Sequence, residues 1–471
     1  MKVSFTTNDY IIIIGYFLAV LVIGFKTKST NDNAKNYLLA GRTLTLPAFV
    51  ATLVASFYGG ILGVGEFTYK FGIAGWFLYA FPYYFFIIIF ALFLAGKIRR
   101  GRLYSIPDKL NEIYGKKVSV FGGILIFFLS TPAPYLFMMG ILINLIFGFK
   151  LIYAMILSLL VSVIYLVKGG LKADVRVNIF EFILMFVGFG IIVPFCLNQF
   201  GGFSYLTIRL PAENLSVTGN SSLQYIMVWF FIGAWVLIDP VFYQRCFAAK
   251  DKKTPKRGVL LSLLFWIIFD FLTTTAGLYS KAYFLNDLQN PLYTYPALAN
   301  AVLPPIAKGV FFVGMMATIM SSLHSYIFVS STTFSRDIVS RIQDKSEENI
   351  YYTRTGMFIS VVFSLAIAFL IPSVVNIWYT VGTLIIPALL ISVISAYFEK
   401  LQVHSKYIFA SMISSFTVSF IFFIIGSFHK INGEPKYPFS IEPMYPGLVI
   451  GLIIYFIGYK NKKHLKTETD I

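Results

Sequence analysis

The chain has 471 residues, of which 58% are hydrophobic, 18% aromatic and only 13% charged. A soluble domain cannot keep that much apolar surface from water, so a soluble enzyme or binding module is excluded and a polytopic membrane protein is expected. The net charge of +17 leaves nucleic acid open as a partner until the basic residues have been placed.

Thirteen apolar segments near the length of a membrane-crossing helix follow in order: 8–25, 46–70, 74–97, 119–147, 150–167, 177–199, 223–245, 258–282, 304–334, 354–372, 376–397, 406–427 and 444–459. The first lacks the basic flank and cleavage site of a signal peptide and reads as a retained helix. With thirteen crossings the termini lie on opposite sides. If the N-terminus is outside, the inner loops collect thirty of the thirty-eight Lys and Arg residues. That bias fixes the orientation, with a cytoplasmic C-terminus. It also removes nucleic acid, because the charge is spread over seven short loops and not over one groove. The polar outer loop 201–222 carries two glycosylation sequons, at Asn214 and Asn220, which have no weight as chance matches. The two cysteines, Cys196 and Cys246, fall on opposite sides and predict neither a disulfide nor a metal cluster. The tail beyond Lys460 is short and basic, and no soluble domain is expected there.

Two of the segments are flawed as helices. Residues 55–60 read Ala-Ser-Phe-Tyr-Gly-Gly, and glycine costs about 1 kcal/mol relative to Ala inside a helix. Segment 223–245 carries Asp239 and Pro240, and Pro240 removes a backbone donor. Without the first segment, five spans at 43–200 precede five at 223–398, and each block is interrupted in its first helix. Interrupted helices at matching positions in two halves point to a transporter's binding site, whereas ordinary packing glycines and a proline kink explain each break only singly. In segment 304–334, Ser321 and Ser322 are adjacent hydroxyls with Thr318 one turn earlier. Together with carbonyls freed at the first break they offer five hard, charge-poor oxygens suited to sodium. Back-bonding of the hydroxyls within their own helix is the alternative.

In residues 36–42, 55–60, 169–173, 239–250 and 320–322, taken together and in order, the chain resembles the sodium:solute symporters. The resemblance covers nearly the whole chain. It implies an all-α, leucine-transporter-type (LeuT-like) fold of 5+5 inverted repeats with about thirteen transmembrane helices. The implied division is an extra leading helix and inner loop at 1–42, repeats at 43–200 and 223–398, and two peripheral helices with the tail at 399–471. It implies a sodium site made by the carbonyls of Ala55, Tyr58 and Thr318 and the hydroxyls of Ser321 and Ser322. It implies a solute held between the breaks near Phe57, Gly59, Gly60, Trp235, Asp239 and Tyr243. Where some members bind a second sodium, this chain has Asn178 and His324, so one sodium per cycle is expected. Phe57 replaces a polar residue common in relatives, which makes a sugar a poor candidate.

Ionisable residues inside lipid are expensive and are therefore candidates for coupling or pH sensing. Asp270 and His324 qualify by depth. Glu66 and Glu181 lie near segment ends, where an interfacial role is expected, although Glu181 and Asn178 stay on the list of coupling candidates. The expected function is sodium-coupled import of a small polar organic solute across the cell (inner) membrane by alternating access. Sodium is the coupling ion, no other cofactor is needed, and the protein works as a monomer in the bilayer. Asp239 hints at a cationic solute unless it is occupied by the broken backbone. The alternatives are proton coupling through Asp239, Asp270 or His324, and a solute sensor without transport. An enzyme is least expected, because no acid is evident beside His324.

Overall fold

In lipid, an apolar segment satisfies its own backbone only as a helix or in a closed barrel. The computed structural model describes residues 2–27, 34–101, 103–219, 221–344, 350–431 and 434–469, and it is helical nearly throughout. Among the described residues, ten helices are long and apolar enough to cross a membrane, or eleven when one bent pair counts as a span. The chain is a multi-pass membrane protein. Asn220, one of the two sequon positions, lies outside the described residues.

The helices are α1 (Thr7–Lys26), α2 (Leu46–Phe57), α3 (Ile61–Phe71), α4 (Ile73–Arg100), α5 (Lys116–Leu129), α6 (Ala133–Phe147) and α7 (Leu151–Phe200). They continue as α8 (Leu223–Gly233), α9 (Pro240–Ala248), α10 (Thr254–Phe284) and α11 (Ala307–Thr332). The last four are α12 (Ile350–Leu370), α13 (Val374–Tyr397), α14 (Ser405–Phe428) and α15 (Met444–Thr469). Every expected segment lies on one of these helices or helix pairs.

Both flawed segments are broken. α2 and α3 meet at 57° across Tyr58, Gly59 and Gly60. α8 tightens into a 3₁₀ turn, Ala234–Leu237, before α9 restarts at Pro240, where proline is tolerated because a first-turn N–H has no helical partner. A third interruption is unannounced: α5 stops at Leu129 and α6 restarts after Pro132.

Segments 150–167 and 177–199 are two helical arms, together labelled α7, that meet at a sharp break at Gly170 (φ 54°, ψ −148°), and the residues 168–176 expected between them are helical on both sides of that break. Nothing else in 168–176 opposes helix formation, and a Cβ on Gly170 would lie 2.5 Å from the Tyr37 carbonyl. Asp174, Asn178 and Glu181 therefore share one face of the second arm, at i, i+4 and i+7.

α11 is the most enclosed span, with 94% of its apolar stretch buried, against 28% for α1 and for α14. It packs along α7, and both contact α2. α1 is fastened across them: Asp9 at its start accepts hydrogen bonds from the N–H groups of Ile306 (2.9 Å) and Gly309 (2.9 Å) at the start of α11. Outside the spans, Asp108 in the short helix Ile106–Tyr114 accepts from Arg336 (2.8 Å) and Arg341 (2.6 Å). Burial alone would raise the Asp108 pKa, but these guanidinium groups outweigh it and hold it below the usual carboxylate range.

Candidate functional site

The site forms where the first break faces α11. Ser321 Oγ lies 2.8 Å from the Ala55 carbonyl and 2.8 Å from the Thr318 carbonyl. Ser322 Oγ lies 2.6 Å from the Ser56 carbonyl. Two hydroxyl hydrogens thus serve three carbonyls, so acceptor lone pairs are in surplus. Ser56 Oγ is buried without a hydrogen-bond partner. Such an excess of hard, uncharged oxygens suits a small monovalent cation, which satisfies lone pairs that no donor reaches. The approach depends on glycine: a Cβ on Gly59 would fall 2.2 Å from the Ser322 side chain. Of the five expected ligands, Ser321 contacts the carbonyls of both Ala55 and Thr318, and Ser322 contacts the carbonyl of Ser56, which was not expected. Tyr58 is the first residue past the end of α2, and its hydroxyl points elsewhere, to Asp270 and to Thr273 (3.0 Å).

The six residues expected around the solute divide. Phe57 packs edge-on to Phe242 and Tyr83, with centroids 4.9 and 5.5 Å away, and against Trp266 at 5.4 Å. It lines a small cavity with Tyr58, Tyr83, Tyr84, Trp266 and Asp270. The cavity volume of about 30 Å³ leaves room for about two waters and none for an organic solute in this conformation. Gly60 lies under Trp378, whose ring would be 2.1 Å from an added Cβ, and Trp378 stacks on Tyr79. Trp235 is buried in the 3₁₀ turn.

Asp239 and Tyr243 serve the second break. Asp239 caps α9 by accepting from the N–H groups of Val241 (2.8 Å) and Phe242 (3.1 Å), and it also accepts from the Tyr326 hydroxyl (2.6 Å). The Tyr243 hydroxyl donates to the Leu237 carbonyl (2.8 Å). The hint of a cationic solute at Asp239 therefore loses its basis, since the carboxylate is occupied by the broken backbone and a tyrosine. The acid beside Phe57 is Asp270, which accepts from both Tyr58 and Tyr84.

The largest departure concerns His324. Sequence placed no acid near it, yet its Nδ1 lies 2.8 Å from Asp174 and its Nε2 2.9 Å from Glu181. All three are fully buried, so the interfacial role expected of Glu181 is also corrected. Glu181 accepts from Tyr16 (2.9 Å). Asp174 accepts from Arg245 (2.6 Å), Ser325 (2.7 Å) and Asn178 (3.1 Å), and Asn178 also donates to Thr52 (3.1 Å). Asp174 was missed because it falls between two expected segments, and Arg245 because it is the last residue of one. The spacing of Asp174, Asn178 and Glu181 on one helical face was the available signal.

The model of the sodium:solute symporter family matches residues 37–402 of the chain. Among curated proteins, it is 24% identical over 424 residues to sodium/glucose cotransporter 1 of Ovis aries, covering 76% of this chain and 62% of that protein. It is likewise 24% identical over 437 residues to the sodium/myo-inositol cotransporter of Bos taurus, covering 78% and 59%. The chain thus spans about three fifths of the length of these relatives. Among solved structures, a Na+-coupled sialic acid symporter in a substrate-bound outward-open state superposes with a TM-score of 0.81 at 16% identity, over 98% of each chain. Mhp1, a nucleobase-cation-symport-1 family transporter, superposes with a TM-score of 0.59 at 12% identity, over 92% of this chain and 94% of that one. These likenesses establish a LeuT-like inverted-repeat transporter fold.

Proposed function

We propose, from the premise that the chain belongs to the sodium:solute symporter family, that it imports a small polar organic solute by sodium-coupled alternating access. Members and structural neighbours found here are transporters and not enzymes. The observation that carries the reading is Ser321, whose hydroxyl lies 2.8 Å from carbonyls of both the first break and its own helix. Sodium held there by Ala55, Tyr58, Thr318, Ser321 and Ser322 ties α2 to α11 and favours the conformation in which those oxygens meet. Its departure releases the tie. An ion drives such a change only through its different affinity for the two states.

One sodium moving through roughly 100 mV and down a tenfold gradient supplies about 2.3 plus 1.4 kcal/mol, enough for a several-hundred-fold solute gradient. In this reading the repeats are 43–200 and 223–398, the N-terminus faces outward from the cell membrane, and the monomer is the working unit. The solute binds beside Phe57, Gly59 and Gly60, with Trp378 above the glycines, after the small cavity opens.

Uptake into proteoliposomes tests this reading. An imposed sodium gradient should drive accumulation where a proton gradient alone does not, and Ser321→Ala with Ser322→Ala should lower it at least tenfold. Full uptake by the double variant, or uptake driven equally by protons alone, overturns it. A screen of amino acids, carboxylates, amines and vitamins, each with and without sodium, identifies the solute.

A further inference from the structure

In the loops that follow α4 and α11, several cations have acidic partners. Arg336 and Arg341 meet Asp108, Lys116 meets Asp344 (2.7 Å) and Lys109 meets Glu112 (3.1 Å). The place where α4 ends and α10 begins is different. No acidic residue occurs between 67 and 107, and Asp251 is the one acid between 240 and 269. Its carboxylate caps the start of α10, accepting from the N–H groups of Lys253 (2.8 Å) and Thr254 (2.9 Å) and from the Thr254 hydroxyl (3.1 Å), and its charge also acts on Arg257. Among the described residues, Arg100, Lys252, Lys253, Lys256 and Arg257 form no ion pair within 4.0 Å, and all five are exposed.

These five residues and Lys97 line one cleft of about 560 Å³ between α4 and α10, and no acid among the described residues lines it. Lys97 is held in place by the Tyr397 carbonyl (3.1 Å). A cleft lined by one sign of charge beside low-dielectric walls concentrates counter-ions. The rest of the cleft is apolar: Leu92, Phe93 and Leu260 line it and are exposed. Leu261 and Leu264, next along α10, are exposed as well. Both helices are long and apolar enough to cross a membrane, so these side chains meet acyl chains. On each helix the cations stand about one or two turns beyond the apolar residues. Charge at the interface with apolar surface beneath it is the pattern of a phospholipid.

We propose that this cleft binds an anionic phospholipid of the adjoining leaflet, with its phosphate among the cations and an acyl chain along Leu92, Phe93 and Leu260. Basic pockets between membrane helices recognise such headgroups. A free phosphate matches the charge but leaves the apolar half of the cleft unused. The site owes nothing to the sodium reading. It adjoins the chain between the two broken helices: Arg99 donates to the Ala249 carbonyl (2.6 Å), and the Leu44 N–H, just before α2, donates to the Ala248 carbonyl (3.0 Å) at the end of α9.

Native mass spectrometry of the purified full chain in a non-ionic detergent tests the proposal. The probes are phosphatidylglycerol and phosphatidylcholine with the same acyl chains. The first phosphatidylglycerol should bind at least about thirtyfold more tightly than the first phosphatidylcholine. Lys253→Gln with Lys256→Gln and Arg257→Gln should weaken phosphatidylglycerol at least about tenfold. Lys400→Gln with Lys406→Gln and Lys460→Gln removes equal charge from exposed sites elsewhere, and should leave that affinity within about threefold. Inorganic phosphate in large excess should not displace the lipid. Equal affinity for the two lipids overturns the inference. Equal weakening in both triple variants also overturns it, because net charge then explains the preference. Displacement by inorganic phosphate assigns the cleft to a free anion and overturns the lipid. The lipid comparison and the phosphate competition use the unaltered chain, so both stand even where a variant fails to fold.

Discussion

Asp239 engages both carboxylate oxygens within the protein, one with two backbone N–H groups at the start of α9 and the other with Tyr326. Removing a buried acceptor strands its donors at a cost of about 1–3 kcal/mol, and the loss of a cap costs about 1 kcal/mol. Asp239→Ala should therefore lower the melting temperature of the detergent-solubilised protein. Asp239→Asn should lower it less, because an amide oxygen still accepts from Val241 and Phe242. Charge preference for the solute should be the same in both variants, as read by competition between amine and neutral solutes for uptake. His324 shows the reverse case. Its sequence neighbours are serines and apolar residues, and nothing within four positions is acidic. Its partners lie 143 and 150 residues away, so only tertiary structure reveals them.

At the scale of elements, glycine and proline made most of the architecture legible, because the rules for their backbones are local. Gly59, Gly60 and Pro240 mark the two breaks, and both occur where the composition places them. The break at Ser130 to Pro132 was overlooked because apolar residues on either side hid two prolines inside one long segment. The two arms of α7 follow the same rule: the connection expected at 168–176 shrinks to Gly170, the one residue there that departs from helical geometry. That residue carries a distinct expectation. With φ at 54° and the Tyr37 carbonyl 2.5 Å from a Cβ, Gly170→Ala meets both an unfavourable backbone region and a clash. It should cut the yield of folded protein sharply and lower the melting temperature. Gly190→Ala, in the same helix with nothing within 4 Å of the added carbon, should leave both unchanged or raise them slightly.

For the whole molecule, the decisive relation is between rigid and broken parts. α7 and α11 are long and mutually packed, and they present oxygens and charges along one line: Ser321 and Ser322, then His324 and Ser325, with Asp174 and Glu181 opposite. α2 and α9, each bounded by an interruption, meet that line through Ala55, Ser56, Thr52 and Arg245. A body hinged at two breaks moves against such a frame only if those polar contacts part together, so an ion that bridges them shifts the balance between conformations. The same bridge makes sodium a ligand of the folded state. A ligand at one hundred times its dissociation constant stabilises by about 2.7 kcal/mol. Saturating sodium chloride should therefore raise the melting temperature of the purified protein by a few degrees over equal potassium chloride, which controls for ionic strength. Ser321→Ala should erase the difference between the two salts while leaving the melting temperature in potassium close to that of the unaltered chain, because the lost hydroxyl there only trades one hydrogen bond to a carbonyl. A sodium shift that persists in Ser321→Ala would move the sodium site away from the first break, and with it the mechanical link between ion and hinge.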